Sequence, residues 1–141
     1  MEVKQNIKLN PLIISEHFTQ LGDEFMGNLK KTVDIEHYAA KLSKLSIMNA
    51  VFDDQDLVGL IAYYQNFEKN EIFISHVGVI PVWQNKGLAS KLIKSVTCEA
   101  SGFRTQIEVF EENLVARRFY ETLNFKVSAI VGSKLTLERF S

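Results

Sequence analysis

The sequence has one cysteine, two prolines and seven glycines in 141 residues. Cys98, standing alone, excludes an intrachain disulfide and fits a reducing compartment. So little glycine and proline leaves no low-complexity linker, and 46% apolar with 23% charged residues is ordinary globular composition. An excess of one charge is also missing. Sixteen Lys/Arg against seventeen Asp/Glu give a net charge of −1, so no strongly basic field exists to hold a nucleic-acid backbone. Long hydrophobic runs are absent too. A run such as Val58 to Tyr64, with Gly59 inside it, falls far short of the ~20 residues a membrane helix needs. Met1-Glu2-Val3-Lys4-Gln5 has no basic-then-apolar signal. These absences predict one soluble cytoplasmic domain over residues 1–141, with no membrane or nucleic-acid partner.

What is present is periodicity that changes along the chain. Leu12, Ile13, His17, Leu21 and Phe25 recur near every 3.6 residues, which predicts one amphipathic helix after Pro11, ended or loosened by Gly27. Asp34 is placed to cap a second helix with Ile35, Tyr38, Ala39, Leu42 and Leu45 on one face. Ser46–Phe52, Leu57–Phe67 and Glu71–Ile80 then read as three strands of a meander, joined by polar turns at Asp53-Asp54-Gln55-Asp56 and Asn66–Asn70. A helix follows from Gly87, with Leu88, Leu92, Val96 and Ala100 in one stripe and Gly102 as its stop. Arg104–Phe110 predicts a strand, Glu112–Leu123 a helix, and Phe125–Val131 with Lys134–Phe140 a hairpin turning at Gly132-Ser133. The expectation is a mixed α/β, or α+β, domain with one strand–helix–strand crossover.

The segment with chemical content is His76 to Ser90, where a strand ends at Pro81 and a helix opens at Gly87. The first amides of a helix lack intrahelical partners, and the macrodipole places about half a positive charge there. A phosphate group can reach those amides only if no side chain intervenes, which suits Gly87 and Ala89, while Lys86 adds a charge. A lone glycine at such a junction is weak evidence, since it often only relieves backbone strain. The loop lacks both the Lys-Ser/Thr pair of a P-loop and the three-glycine dinucleotide fingerprint.

Gln84-Asn85-Lys86-Gly87-Leu88-Ala89 resembles the Gln/Arg-x-x-Gly-x-Gly/Ala signature of the GNAT family of N-acetyltransferases. As in that family, an apolar strand, Val77-Gly78-Val79, precedes it. Downstream, Asn113, Ala116, Tyr120 and Phe125 are similar to the family's Asn-x-x-Ala-x-x-x-Tyr-x-x-x-Gly-Phe element. Asn124 replaces the usual glycine there, and asparagine tolerates the left-handed conformation next best. The resemblance implies a GNAT-like central mixed sheet of six to seven strands with about four helices. It also implies acetyl-CoA as co-substrate, no metal, an amine acceptor and transfer by direct attack, and it leaves a homodimer open. The backbones of Val77 and Val79 would pair with the pantetheine arm like an added strand. The segment Gln84, Asn85, Lys86, Gly87, Leu88, Ala89 and Ser90 would hold the diphosphate.

By the same resemblance, Asn113 would cap its helix or bond the pantetheine, and Tyr120 would protonate the departing thiolate. Without it, Tyr120 is simply a half-buried aromatic of an amphipathic helix. No acidic residue lies between Ile72 and Val79, where several family members keep a general base. His76 and Glu108 are the candidates left, and each also has a plain reading: a structural strand histidine and a solvent-facing glutamate. His17 and His37 show no ligand spacing, so a metal site is unsupported. Loss of the strand carboxylate leaves a second class open, a non-catalytic acyl-CoA sensor, and a different acyl donor or a hydroxyl acceptor is a third.

Overall fold

A computed structural model describes residues 1–97 and 102–140. In chain order the elements are β1 (Val3–Ile7), α1 (Pro11–Gln20), α2 (Asp23–Lys30), α3 (Ile35–Leu45), β2 (Ile47–Asp53), β3 (Asp56–Asn66) and β4 (Glu71–Val79). A 3-10 turn (Pro81–Trp83), α4 (Leu88–Thr97), β5 (Arg104–Phe110), α5 (Leu114–Thr122), β6 (Lys126–Val131) and β7 (Lys134–Phe140) follow. The strands form one mixed sheet in the order β1-β2-β3-β4-β5-β7-β6. That is the expected fold class, with seven strands and, among the described residues, five helices rather than about four. The part of the helical stripe assigned to Ala100, and Cys98, lie outside the described residues.

The chain divides into two compact units. One comprises Met1–Ala62 and His76–Ser95, the other Tyr63–Ser75 and the chain from Val96 onward.

In the first unit the long N-terminal helix of the sequence reading is two helices. Gly22 sits at φ 108°, a conformation L side chains avoid, and there α1 ends and α2 begins. Gly27, expected as the stop, lies inside α2. The buried face of α1 is also rotated from the expected one: Ile14, His17 and Phe18 are buried, whereas Leu12 is 67% exposed. Asp34 caps α3 as its spacing predicts, its Oδ1 accepting the His37 amide at 3.1 Å. β1 was not legible. It is an edge strand with three exposed central residues, so it carries little apolar alternation. It pairs antiparallel with β2 in the register Val3↔Val51, Lys4↔Ala50 and Ile7↔Met48, with an irregularity between. There Asn6 takes φ 52°, and its amide donates to Oδ1 of buried Asn49 at 2.9 Å. Asn49 Nδ2 in turn donates to Ser95 Oγ of α4 at 2.8 Å, so this buried amide is satisfied at both ends. On β3, Gly59 lets α4 approach closely: a Cβ there would stand 3.2 Å from Leu92 Cδ1.

In the second unit β5 and β7 pair antiparallel from Arg104↔Phe140 to Phe110↔Lys134. β4 and β5 pair in parallel from Glu71↔Arg104 to Ile74↔Ile107. Arg104 is hydrogen-bonded to Glu71 and lies 3.7 Å from a Glu138 oxygen, tying the starts of β4 and β5 to the end of β7. Helix α5 is shorter than expected, opening at Leu114 because Asn113 caps it.

Candidate active site

The strand-to-helix junction of the first unit is built from backbone. The Ile80 amide donates to Val58 O at 3.0 Å, holding the end of β4 against β3. Pro81 starts the 3-10 turn, and the side chain of Gln84 folds back so that Nε2 donates to Val79 O at 3.0 Å. Asn85 and Gly87 take φ 63° and 81°. The first intrahelical bond of α4 that involves this turn runs from the Lys91 amide to Gly87 O at 3.1 Å. The amides of Leu88, Ala89 and Ser90 precede it and are the helix's unsatisfied donors. A Cβ at Gly87 would meet nothing within 4 Å, so the side of the turn where a side chain would stand is open. Exposed Lys86 stands beside it. Amide donors, dipole, open space and one cation fit a diphosphate. Of the candidate residues, Val77, Val79 and Gln84 through Ser90 therefore lie on one continuous strand–turn–helix. Val79 is buried and Val77 half-buried.

His76 lies on the opposite face of β4, pointing under α1 and α2. It is 6% exposed and its Nε2 is 3.0 Å from Nε2 of His17, which is 1% exposed. Phe18 and Phe25 meet the His76 ring edge to face at 5.0 and 5.7 Å. Gly78 gives this cluster room, since a Cβ there would be 2.8 Å from Leu21 Cδ1. Burial lowers the His17 imidazole to about 4, and burial followed by the neighbouring His17 holds His76 well below the usual histidine range. Both rings are thus neutral near pH 7, and their contact requires one Nε2–H and one bare Nε2. His17 Nδ1 is buried without a partner. The sequence treated the two histidines separately. The one available signal was that His17 shares its helical face with Ile14 and Phe18, both fully buried.

In the second unit, Asn113 Oδ1 accepts the Ala116 amide at 3.2 Å, the cap its position predicts. Asn113, Ala116 and Tyr120 share one face of α5, running from exposed through half-buried to buried. Tyr120 packs against Phe119 and Phe125, with ring centroids 5.3 and 5.7 Å away. Burial raises its hydroxyl far above the ordinary tyrosine value, so it stays protonated. Asn124 adopts φ 71°, the left-handed turn where glycine was the family pattern, and Phe125 follows with its amide on Tyr120 O at 3.1 Å. Glu108 is on the exposed face of β5, opposite Thr136 of β7.

With both segments described, comparison with known proteins decides the family. The acetyltransferase (GNAT) family profile matches residues 14–125, most of the chain. The chain belongs to the GNAT acetyltransferase family. Among solved structures, a PaiA N-acetyltransferase from Thermoplasma acidophilum in complex with coenzyme A is 16% identical, with 100% of each chain covered and a TM-score of 0.75. An Escherichia coli ribosomal-protein alanine N-acetyltransferase is 12% identical over 97% of this chain and 91% of its own, with a TM-score of 0.75. An aminoglycoside 6'-acetyltransferase is 13% identical over 99% and 97%, with a TM-score of 0.77. At such identities these likenesses speak for the fold. No curated protein matches the sequence significantly. As a GNAT acetyltransferase the chain carries the fold of acetyl transfer from acetyl-CoA. No described helix is long and apolar enough to cross a membrane.

Proposed function

We propose that this GNAT domain, spanning residues 1–141, transfers the acetyl group of acetyl-CoA to a primary amine by direct attack. The observation that carries the reading is the open side of the turn at Gly87, at the head of α4, with three unsatisfied amides following it. The amides of Leu88, Ala89 and Ser90 hold the diphosphate, Asn85 and Gly87 provide the turn, and Lys86 adds its charge. Gln84 pins the turn to Val79 O, and the backbones of Val77 and Val79 bind the pantetheine arm. Acetyl-CoA supplies the activated carbonyl.

The amine nitrogen bonds to that carbonyl carbon, the carbon–sulfur bond breaks, and Tyr120 gives its proton to the leaving sulfur. The amine must lose a proton, and presenting an amine of pKa ~10.4 neutral at pH 7 costs about 4–5 kcal/mol. Exposed Glu108 is the group proposed to take it; His76, the other candidate, is buried against His17 and held neutral, so it is a poor proton acceptor. The known structures of this fold include proteins named for a ribosomal-protein alanine and for an aminoglycoside, so the fold itself leaves the acceptor open. The test is thiol release from acetyl-CoA across a panel of primary amines and alcohols. Amine-dependent release supports the reading. Tight acetyl-CoA binding with no release for any acceptor contradicts it and favours an acyl-CoA sensor.

A further inference from the structure

The peptide joining Val79 to Ile80 at the end of β4 is trans, so its N–H and its C=O point in opposite directions. The Ile80 N–H donates to Val58 O of β3 at 3.0 Å. The Val79 carbonyl therefore points away from β3, to the side where an added strand would pair. That carbonyl is taken. Gln84 Nε2 donates to it at 3.0 Å.

The two partners of this bond differ in burial. Val79 is 7% exposed, so its carbonyl without a donor would be a costly, largely dry acceptor. Gln84 is exposed, and its carboxamide can turn to water at little loss. Such a swing leaves the turn in place. The Gln84 backbone amide donates to Pro81 O at 3.1 Å and the Trp83 amide to Ile80 O at 2.9 Å, neither of them through the side chain. The pantetheine arm carries secondary amides, donors of the same class as the carboxamide. One donor can replace the other on the Val79 oxygen with no net change in hydrogen bonds.

We propose that Gln84 is a placeholder for the pantetheine arm. Its carboxamide occupies the Val79 carbonyl while the site is free, yields it to an amide N–H of the arm, and takes it back as coenzyme A leaves. The inference rests on the proposed binding of acetyl-CoA, and its test separates the two. A permanent pin would make arm binding depend on Gln84. A placeholder competes with the arm, so its removal helps the arm bind.

Gln84→Met keeps the length of the side chain and cannot donate a hydrogen bond. The parent protein and this variant are titrated calorimetrically with S-acetylpantetheine, which has the arm and no diphosphate, and with ADP, which has the diphosphate and no arm. The variant should bind S-acetylpantetheine at least about threefold more tightly, the scale of one neutral hydrogen bond, and ADP within about twofold of the parent. NMR of the Gln84 side-chain amide, assigned by its absence from the variant, gives a second readout. Its protons should exchange slowly with water in the free protein and with ADP, and quickly in the acetyl-CoA complex. Unchanged, weaker or undetectable S-acetylpantetheine binding by the variant overturns the placeholder and leaves acetyl-CoA binding standing. So does a Gln84 amide that stays protected in the acetyl-CoA complex. Loss of ADP binding in the folded variant assigns Gln84 to the diphosphate turn instead and equally overturns the placeholder. A parent protein that binds neither acetyl-CoA nor S-acetylpantetheine defeats the acetyl-CoA reading itself, and the placeholder with it.

Discussion

The two faces of the β4 segment solve opposite problems. Beyond its end, around Gly87, the machinery is backbone: unsatisfied amides, two residues at positive φ and open space. Beneath it, around His76, the machinery is side chain: two neutral imidazoles packed among phenylalanines. An anion site at a helix start works through dipoles that need no titration, so it can stay exposed. A histidine pair buried among apolar rings keeps its neutrality only because water is excluded. Tyr120 in α5 shows the same physics with the other sign, since burial there preserves a proton instead of expelling one. Exposure therefore separates the binding machinery from the groups whose protonation state the fold fixes.

The largest expected effect breaks the buried side of that comparison. The folded-state values of His17 and His76 lie below the unfolded value of 6.5, so neither histidine penalises the fold above pH 6.5. As pH falls from 6.5 toward 4 the unfolded chain takes up protons that the folded one refuses, and stability is lost. The His17 contribution alone is about 3 kcal/mol by pH 4. Urea unfolding of the parent and His17→Leu at pH 7.5 and 5 checks this, with the variant showing the shallower pH dependence. Equal slopes would show that the pair is not the titrating element.

Next in size is Tyr120→Phe, which keeps the ring against Phe119 and Phe125 and removes the hydroxyl. The turnover number should fall roughly 10²-fold with little change in acetyl-CoA affinity. Coenzyme A is a modest acid, near a cysteine thiol at ~8.5, so a tenfold drop still counts as support. Parent-rate turnover from pH 6 to 9, with chemistry rate-limiting, would reduce Tyr120 to packing. The smallest effect belongs to Asn113→Ala, which removes a solvent-exposed cap from the Ala116 amide. It should cost about 1 kcal/mol, read as a lowered urea midpoint with unchanged slope. No change in midpoint would mean that water replaces the cap fully.

The same contrast explains what the sequence revealed. The junction was legible because a backbone site imposes local demands, a proline, a polar turn and a glycine before an apolar stripe, all within Val79 to Leu88. β5 and β7 were legible to the residue because their alternation is strong. β1 escaped because an edge strand with exposed central residues has no such pattern. The split between α1 and α2 escaped because Leu21 and Phe25 keep a helical spacing across Gly22, and only the positive φ shows the break. The His17–His76 pair joins residues 59 positions apart. Pairing at that separation is set by tertiary packing, which a single sequence does not display.

The most direct test of the cradle is a calorimetric titration of acetyl-CoA into the parent protein and Gly87→Val. The side chain would stand on the open side of the turn that leads into the α4 amides, at a position whose φ of 81° already disfavours it. The account predicts a folded variant whose dissociation constant rises by well over tenfold, about 1.4 kcal/mol or more. A folded Gly87→Val protein binding acetyl-CoA as tightly as the parent would contradict it.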